Sequence, residues 1–126
     1  MKIALMAASL LVAPILFIHP VHAQDAATGE RLFKQRCASC HTVQPGQNRI
    51  GPHLSGIVGR KPASVEGARY SKALAGLEAN WDAAKLDAFL ANPRGVAPGT
   101  TMTVSVPNAT ERGNLVAYLQ SLTSAN

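Results

Sequence analysis

The chain has 126 residues, and its 12 Lys and Arg against 7 Asp and Glu give a net charge of +5. This length suits one domain with an adequate but not generous apolar core. The basic residues are spread along the chain, with no dense run and no aromatic residues between them, which argues against a nucleic-acid-binding surface. The moderate positive charge instead favours contact with anionic patches on other proteins or with membrane surfaces.

Residues 1–23 have the layout of a secretory signal peptide. Lys2 precedes an apolar run over residues 3–18, and small residues then lie before a plausible cut after Ala23. An uncleaved membrane anchor is the alternative, but the run is short for a span and Pro14 interrupts it. The sequence therefore predicts a cleaved signal.

Cleavage would leave a single exported domain over residues 24–126, without stable insertion in the membrane. Loss of Lys2 lowers its net charge to +4. We expect this domain to lie in the periplasm, an oxidising compartment in which a pair of cysteines normally forms a disulfide.

We predict an all-α domain whose helices alternate with loops rich in Gly and Pro. Asp25 can cap a first helix, which its three-to-four apolar spacing carries to about Cys40. A long loop from 45 to 62 follows, and a short helix is expected over 70–77.

The second half of the chain is predicted to hold two more helices. Asn80 can cap the first of them, and Asn92-Pro93 ends it. A second loop follows, with at most a local extended piece over 104–106. Asn108 and Glu111 resemble the capping pair of the final helix, whose apolar stripe is Leu115, Tyr118, Leu119 and Leu122. Two such long loops are unusual in a compact domain unless they surround a ligand.

Cys37-Ala38-Ser39-Cys40-His41 has the C-x-x-C-H spacing of covalent haem attachment. Cysteines three apart near a helix end share one face, where each thiol can form a thioether, and His41 then lies beneath the iron as an axial ligand. One alternative is a disulfide or thioredoxin-like redox pair, which should sit beside a βαβ pattern that this chain lacks. The other is a zinc site, for which His53 is the only further histidine in residues 24–126.

A haem iron closed on both sides needs a second axial ligand. Met102 is the only methionine of residues 24–126, and it follows a Pro98-Gly99 turn that could press a flexible thioether against the iron. An isolated methionine is more often a core filler, but the two long loops favour a ligand. His53 is the competing ligand, although its ring would have to cross the haem plane, and an open iron is the third possibility.

With these motifs, the chain resembles the class I cytochrome c family, close to the mitochondrial and bacterial c2-type carriers. The likeness covers nearly all of residues 24–126, and Gly29, Phe33, Leu115 and Tyr118 match the family's crossing of first and last helices. The resemblance implies the all-α, single-domain class I cytochrome c fold, with helices and long loops wrapped around one covalently attached haem c.

The resemblance also implies roles for polar groups around the haem. Gly51-Pro52-His53-Leu54 is similar to the family's G-P-x-L, whose proline carbonyl accepts a hydrogen bond from the ligand histidine. The residues that match family positions against the haem propionates are Arg60, Tyr70, Trp81 and Thr100. The alternative for these is ordinary core packing or, for the arginine, surface exposure.

The chain departs from the family at two places. Phe89 stands where many members carry a tyrosine whose hydroxyl reaches the axial methionine's sulfur. Val104 stands near where an aromatic residue often covers the haem edge, and only Arg94 remains of the basic residues typical of this region. Charge for partner docking could come instead from Lys34, Arg36, Lys61 and Lys72.

The sequence thus predicts an electron carrier and not an enzyme: a monomer that moves one electron through His/Met-ligated iron. Its expected partners are redox proteins of a respiratory chain, namely a donor dehydrogenase or cytochrome complex and an acceptor oxidase or reductase. The alternatives are an enzyme or sensor that binds peroxide or nitric oxide at an open iron, and a haem subunit dedicated to one larger enzyme.

Overall fold

The computed structural model describes residues 24–123, so the predicted signal peptide lies outside the described residues. Within that range the structure holds five helices and no strand, which confirms the predicted all-α class. The helices are α1 (Ala26–Arg36), α2 (Lys72–Ala75), α3 (Ala83–Ala91), α4 (Pro93–Val96) and α5 (Ala109–Thr123). None of these described helices has the length and apolar character needed to cross a membrane.

The first helix begins as predicted but ends earlier. Asp25 caps α1, because its carboxylate accepts a hydrogen bond from the Ala27 amide at 2.9 Å. The helix ends at Arg36 and not at Cys40. The Cys37 carbonyl accepts hydrogen bonds from the amides of Cys40 at 3.1 Å and His41 at 2.9 Å, so the attachment motif forms a tight turn that leaves the helix axis.

α1 and α5 cross at Gly29, as the family resemblance implies. A Cβ at this position would collide with the backbone carbonyl of Asn114, so only glycine allows the two backbones to approach this closely. One helical turn further, the rings of Phe33 and Tyr118 pack with centroids 5.7 Å apart. Leu115, on α5, is 1% exposed and belongs to the same buried core as Phe33.

The cap of α3 is Asp82, and the prediction of Asn80 is wrong. The Asp82 carboxylate accepts a hydrogen bond from the Lys85 amide at 2.7 Å. Trp81 lies between Asn80 and Asp82, and its amide donates to the Arg60 carbonyl at 2.9 Å while its carbonyl accepts from the Gly59 amide. This pairing holds Trp81 extended, so the helix can begin only after it.

Two further differences from prediction concern short helices. α2 spans Lys72–Ala75, capped by Ser71, and is shorter than the predicted 70–77. Pro93 ends α3 as predicted, but it also begins α4, since a proline needs no amide donor in a first helical turn. The side chain of Asn92 caps this helix by accepting from the Gly95 amide at 3.0 Å.

The capping pair of α5 is confirmed, because the Asn108 side chain accepts a hydrogen bond from the Glu111 amide at 3.0 Å. Residues 104–106 form no strand, but the Val106 amide donates to the Leu90 carbonyl at 2.8 Å. Arg112 ties this loop to the helices, since its guanidinium donates to Asp87 at 2.8 Å and to the Val106 carbonyl at 3.1 Å.

Candidate functional site

A cavity of about 250 Å³ lies between the helices and the two long loops. Its walls come from the end of α1, the loops around 50–63 and 69–71, α2, α3, residues 101–104 and α5, and are mainly apolar. The predicted site residues that line it are Cys37, Cys40, His41, Pro52, Arg60, Tyr70, Trp81 and Met102. Thr100 and the competing ligand His53 do not line it.

The ring of His41 is held by the loop that follows the attachment motif. Its Nδ1 lies 2.7 Å from the carbonyl oxygen of Pro52, which can only accept, so Nδ1 carries the proton and Nε2 keeps a lone pair. Burial lowers the pKa of His41, and the bond to Pro52 opposes this only in part. The ring is therefore a neutral, oriented donor to a metal.

The two thiols of the attachment motif are free and half-buried. Burial raises the pKa of the Cys37 thiol. Among residues 24–123, no group of three or more His, Cys, Asp or Glu side chains could hold a metal ion, so this part of the chain offers no ligand set for a zinc site.

Met102 is half-buried on the wall formed by residues 101–104. Its amide donates to the hydroxyl of Thr100 at 3.2 Å, and the Thr100 amide donates to the Ala97 carbonyl at 2.9 Å. The Thr100 hydroxyl thus supports the backbone of Met102. A contact between Thr100 and a propionate stays a prediction.

His53 belongs to the loop network outside the cavity wall. Its amide donates to the Asn48 side chain at 3.1 Å, and its carbonyl accepts from Arg60 at 2.9 Å. Its Nδ1 is buried without a hydrogen-bond partner among the described residues. Met102 and not His53 therefore shares a cavity with His41, although iron ligation by either stays a prediction.

Polar donors and aromatic rings line another part of the cavity. Burial lowers the pKa of Arg60, whose Nη1 donates to two backbone carbonyls while its other N–H groups make no bond within 24–123. Tyr70 accepts a hydrogen bond from the Val65 amide at 3.2 Å, which leaves its own proton to donate. Trp81 is 6% exposed and packs edge-to-face on Phe89, with ring centroids 5.2 Å apart.

The chemistry of this donor set fits a haem. An apolar cavity suits the macrocycle, two half-buried thiols lie beside an oriented imidazole, and a thioether lies on another wall. Arginine and tyrosine donors suit carboxylates that leave water.

Ile50 and Arg69 are among the cavity-lining residues that sequence reasoning did not name. Ile50 is 80% exposed, the most exposed large apolar side chain of the described residues. In the sequence, Ile50 is marked only by its position directly before Gly51, and Arg69 only by its position directly before Tyr70. Val104, 45% exposed, lines the same cavity.

Comparison with known proteins gives a consistent result. The family model described as cytochrome c matches residues 26–123. The cytochrome c-type cyt cy of Rhodobacter capsulatus is 43% identical over 99 residues, which cover 78% of this chain and 49% of that protein, so the chain spans about half its length. Cytochrome c of Gibberella zeae is 44% identical over 79% of this chain and 95% of its own length. Cytochrome c-554 of Methylosinus trichosporium is 40% identical over 79% of this chain and 76% of that protein.

Proposed function

The chain belongs to the cytochrome c family and carries one covalently attached haem c, and from this we propose that it is a periplasmic carrier that shuttles one electron between redox proteins. The observation that carries the proposal is the cavity shared by His41 and Met102, with the imidazole turned so that Nε2 keeps its lone pair. The bound haem supplies the redox chemistry, a one-electron change of its iron.

The residues divide this work between attachment and ligation. Cys37 and Cys40 would hold the haem through thioethers, and His41 and Met102 would supply an imidazole and a thioether to its iron. The Pro52 carbonyl keeps the His41 ring in one tautomer and orientation, and Thr100 restrains the backbone of Met102. Because the fold holds the His41 ring and the backbone of Met102, these two residues would have to move little when the iron changes its oxidation state.

The walls of the cavity keep water away from the haem. Phe89 and Trp81 are each 6% exposed and Leu115 is 1% exposed, and all three line the cavity. A site of low polarity disfavours the ferric state, which carries more net charge, so burial and thioether ligation both raise the reduction potential.

The first experiment tests attachment on protein matured in a host with haem-ligation machinery. We expect the intact mass to include one haem and the colour to survive acid-acetone extraction. A Cys37→Ala, Cys40→Ala double variant should lose covalent haem. A colourless wild-type protein without added mass would overturn the proposed function.

The second experiment tests the axial ligands. The oxidised protein should give the weak near-infrared band of a thioether bound to ferric iron, and Met102→Ala should abolish it. His53→Ala is the matched control, and its band should persist. Absence of the band from the wild type would contradict ligation by Met102, and binding of nitric oxide by the wild type without a lag would then favour the small-ligand enzyme or sensor.

Location and partners follow from the same proposal. The signal peptide should be removed after Ala23, so the mature protein should begin at Gln24, which N-terminal sequencing of periplasmic protein would test. The donor is a dehydrogenase or cytochrome complex and the acceptor an oxidase or reductase. A free carrier should elute as a monomer, whereas a dedicated subunit should co-purify with one larger enzyme.

A further inference from the structure

Three guanidinium groups line the cavity, and they differ in what they already bind. Arg36 is paired with Glu111, with 2.9 Å between Nη1 and Oε2. Arg60 is half-buried and donates through Nη1 to the carbonyls of His53 and Ser55. The exposed guanidinium of Arg69 makes no hydrogen bond or ion pair with any group among residues 24–123.

The backbone around Arg69 is held on both sides. The Glu66 carbonyl accepts a hydrogen bond from the Asn48 side chain at 3.0 Å, and Tyr70 binds the Val65 amide at 3.2 Å. Ser71, next along the chain, caps α2 by accepting from the Leu74 amide. The chain around Arg69 is therefore held beside the Tyr70 donor at the cavity wall, although no described group engages the charge of Arg69.

The positive charges that line the cavity can be compared with the two negative charges that a haem would bring. A haem brings two carboxylates, and each needs a charge partner or several donors when it leaves water. Arg36 is already neutralised by Glu111, and the hydroxyl of Tyr70 can donate a hydrogen bond but carries no charge. Arg60 can balance one carboxylate. Arg69 is the cationic group lining the cavity that is left for the other.

We propose that Arg69 binds the more exposed of the two haem carboxylates and thereby raises the reduction potential. This inference rests on the proposed haem site. A positive charge beside the haem disfavours the ferric state, which carries one more positive charge than the ferrous state. Because Arg69 is exposed, its effect is screened by salt.

The test measures midpoint potentials of the haem-loaded full chain by redox titration at about 0.01 and 0.5 M salt, where the Debye length falls from about 30 Å to a few ångströms. The variants are Arg69→Gln and Arg69→Lys. The matched control is Arg94→Gln, which removes one charge from an exposed arginine that does not line the cavity. Redox-difference infrared spectra record the carboxylate bands of the same proteins.

At low salt we expect Arg69→Gln to shift the redox equilibrium toward ferric by about threefold to tenfold, where tenfold corresponds to about 59 mV for one electron. Arg94→Gln should shift it much less. Arg69→Lys should recover most of the loss, high salt should shrink the difference, and a carboxylate band should move in Arg69→Gln alone. Unfolding midpoints in urea should match among the variants, which separates this effect from a structural one.

Two results would overturn the inference. If Arg69→Gln and Arg94→Gln have the same potential and the same carboxylate bands, Arg69 is only solvated, while the proposed carrier function stands. If the wild type carries no covalent haem, the proposed function fails and this inference fails with it.

Discussion

Gly51 lies directly against the imidazole of His41. A Cβ built on Gly51 would lie 2.8 Å from Nδ1 and 3.0 Å from Nε2 of the ring, closer than side-chain atoms pack. The next residue, Pro52, offers the carbonyl that binds Nδ1 at 2.7 Å. One short segment therefore fixes both the plane and the tautomer of the proposed ligand, and the absence of a side chain at Gly51 is what makes room for it.

Gly51→Ala should displace the His41 ring and lengthen the hydrogen bond between its Nδ1 and the Pro52 carbonyl. The backbone at residue 51 cannot move away from the ring to make room, because Pro52 would move with it and that hydrogen bond would be lost. We expect less protein with covalently attached haem. We also expect a lower barrier to ligand exchange at the iron, seen as faster binding of cyanide to the oxidised form. Gly76→Ala is the matched control, since its Cβ would meet nothing closer than the carbonyls of Lys72 at 3.4 Å and Ala73 at 3.6 Å. Equal yields and equal cyanide rates in the two variants would contradict the role given to Gly51.

Gly29→Ala should destabilise the fold by about 1–3 kcal/mol or more, because the added methyl overpacks the helix crossing against a backbone carbonyl. The measurement is urea unfolding of the loaded protein. Gly113→Ala is the control, since it lies within α5 and the atoms nearest to its Cβ would belong to the side chain of Gln24, at 3.2 Å or beyond. Alanine is a better helix former than glycine, so this control should be neutral or slightly stabilising. A Gly29→Ala midpoint equal to that of the control would mean that the crossing can relax.

How far the sequence predicts the fold depends on the range of the contacts involved. The caps Asp25 and Asn108 bind amides two or three residues away, and the attachment motif is equally local, so neighbouring residues reveal them. The cap at Asp82 was missed because Trp81 pairs with Gly59 and Arg60, more than twenty residues earlier in the chain. No local pattern contains that contact.

The same distinction applies to the site. Arg60 was identified from the family resemblance and Met102 by elimination, and both line the cavity. Ile50 and Arg69 lie on two loops that are joined by a hydrogen bond from the Asn48 side chain to the Glu66 carbonyl, a contact that spacing alone does not reveal. Thr100 matched a family position, yet its hydroxyl accepts a local bond from the Met102 amide and the residue lies off the cavity wall.

The histidine outside the cavity should make stability depend on pH. Burial, and to a lesser degree the Arg60 charge, lower the pKa of His53 from its ordinary 6.5. As pH falls below about 6.5, the unfolded chain takes up a proton on His53 before the folded chain does. The free energy of unfolding is therefore highest above that pH and decreases until the pH has passed the lower pKa of His53 in the folded chain. His53→Gln cannot take up the proton and should lose less stability between pH 8 and pH 5 in urea unfolding. Parallel losses in the two proteins would show that another group governs the acid range.

The buried ring of Phe89 gives the sharpest test of how this chain departs from its family. Phe89 is 6% exposed, lines the cavity with Met102 and packs edge-to-face on Trp81. A hydroxyl added by Phe89→Tyr has to find an acceptor in a largely apolar site, and the Met102 sulfur is the proposed one. A hydrogen bond there would withdraw electron density from the sulfur, which would then stabilise ferric iron less.

Phe89→Tyr should therefore raise the reduction potential, at some cost in stability from overpacking. Phe33→Tyr is the matched control, because Phe33 is 5% exposed and lines the same cavity but packs on Tyr118. It should carry a similar packing cost without a comparable rise in potential. Protein-film voltammetry measures the potentials, and the near-infrared thioether band checks that the sulfur stays bound. An unchanged or lowered potential in Phe89→Tyr, with the band intact, would mean that the ring does not face the sulfur or that the hydroxyl has another partner.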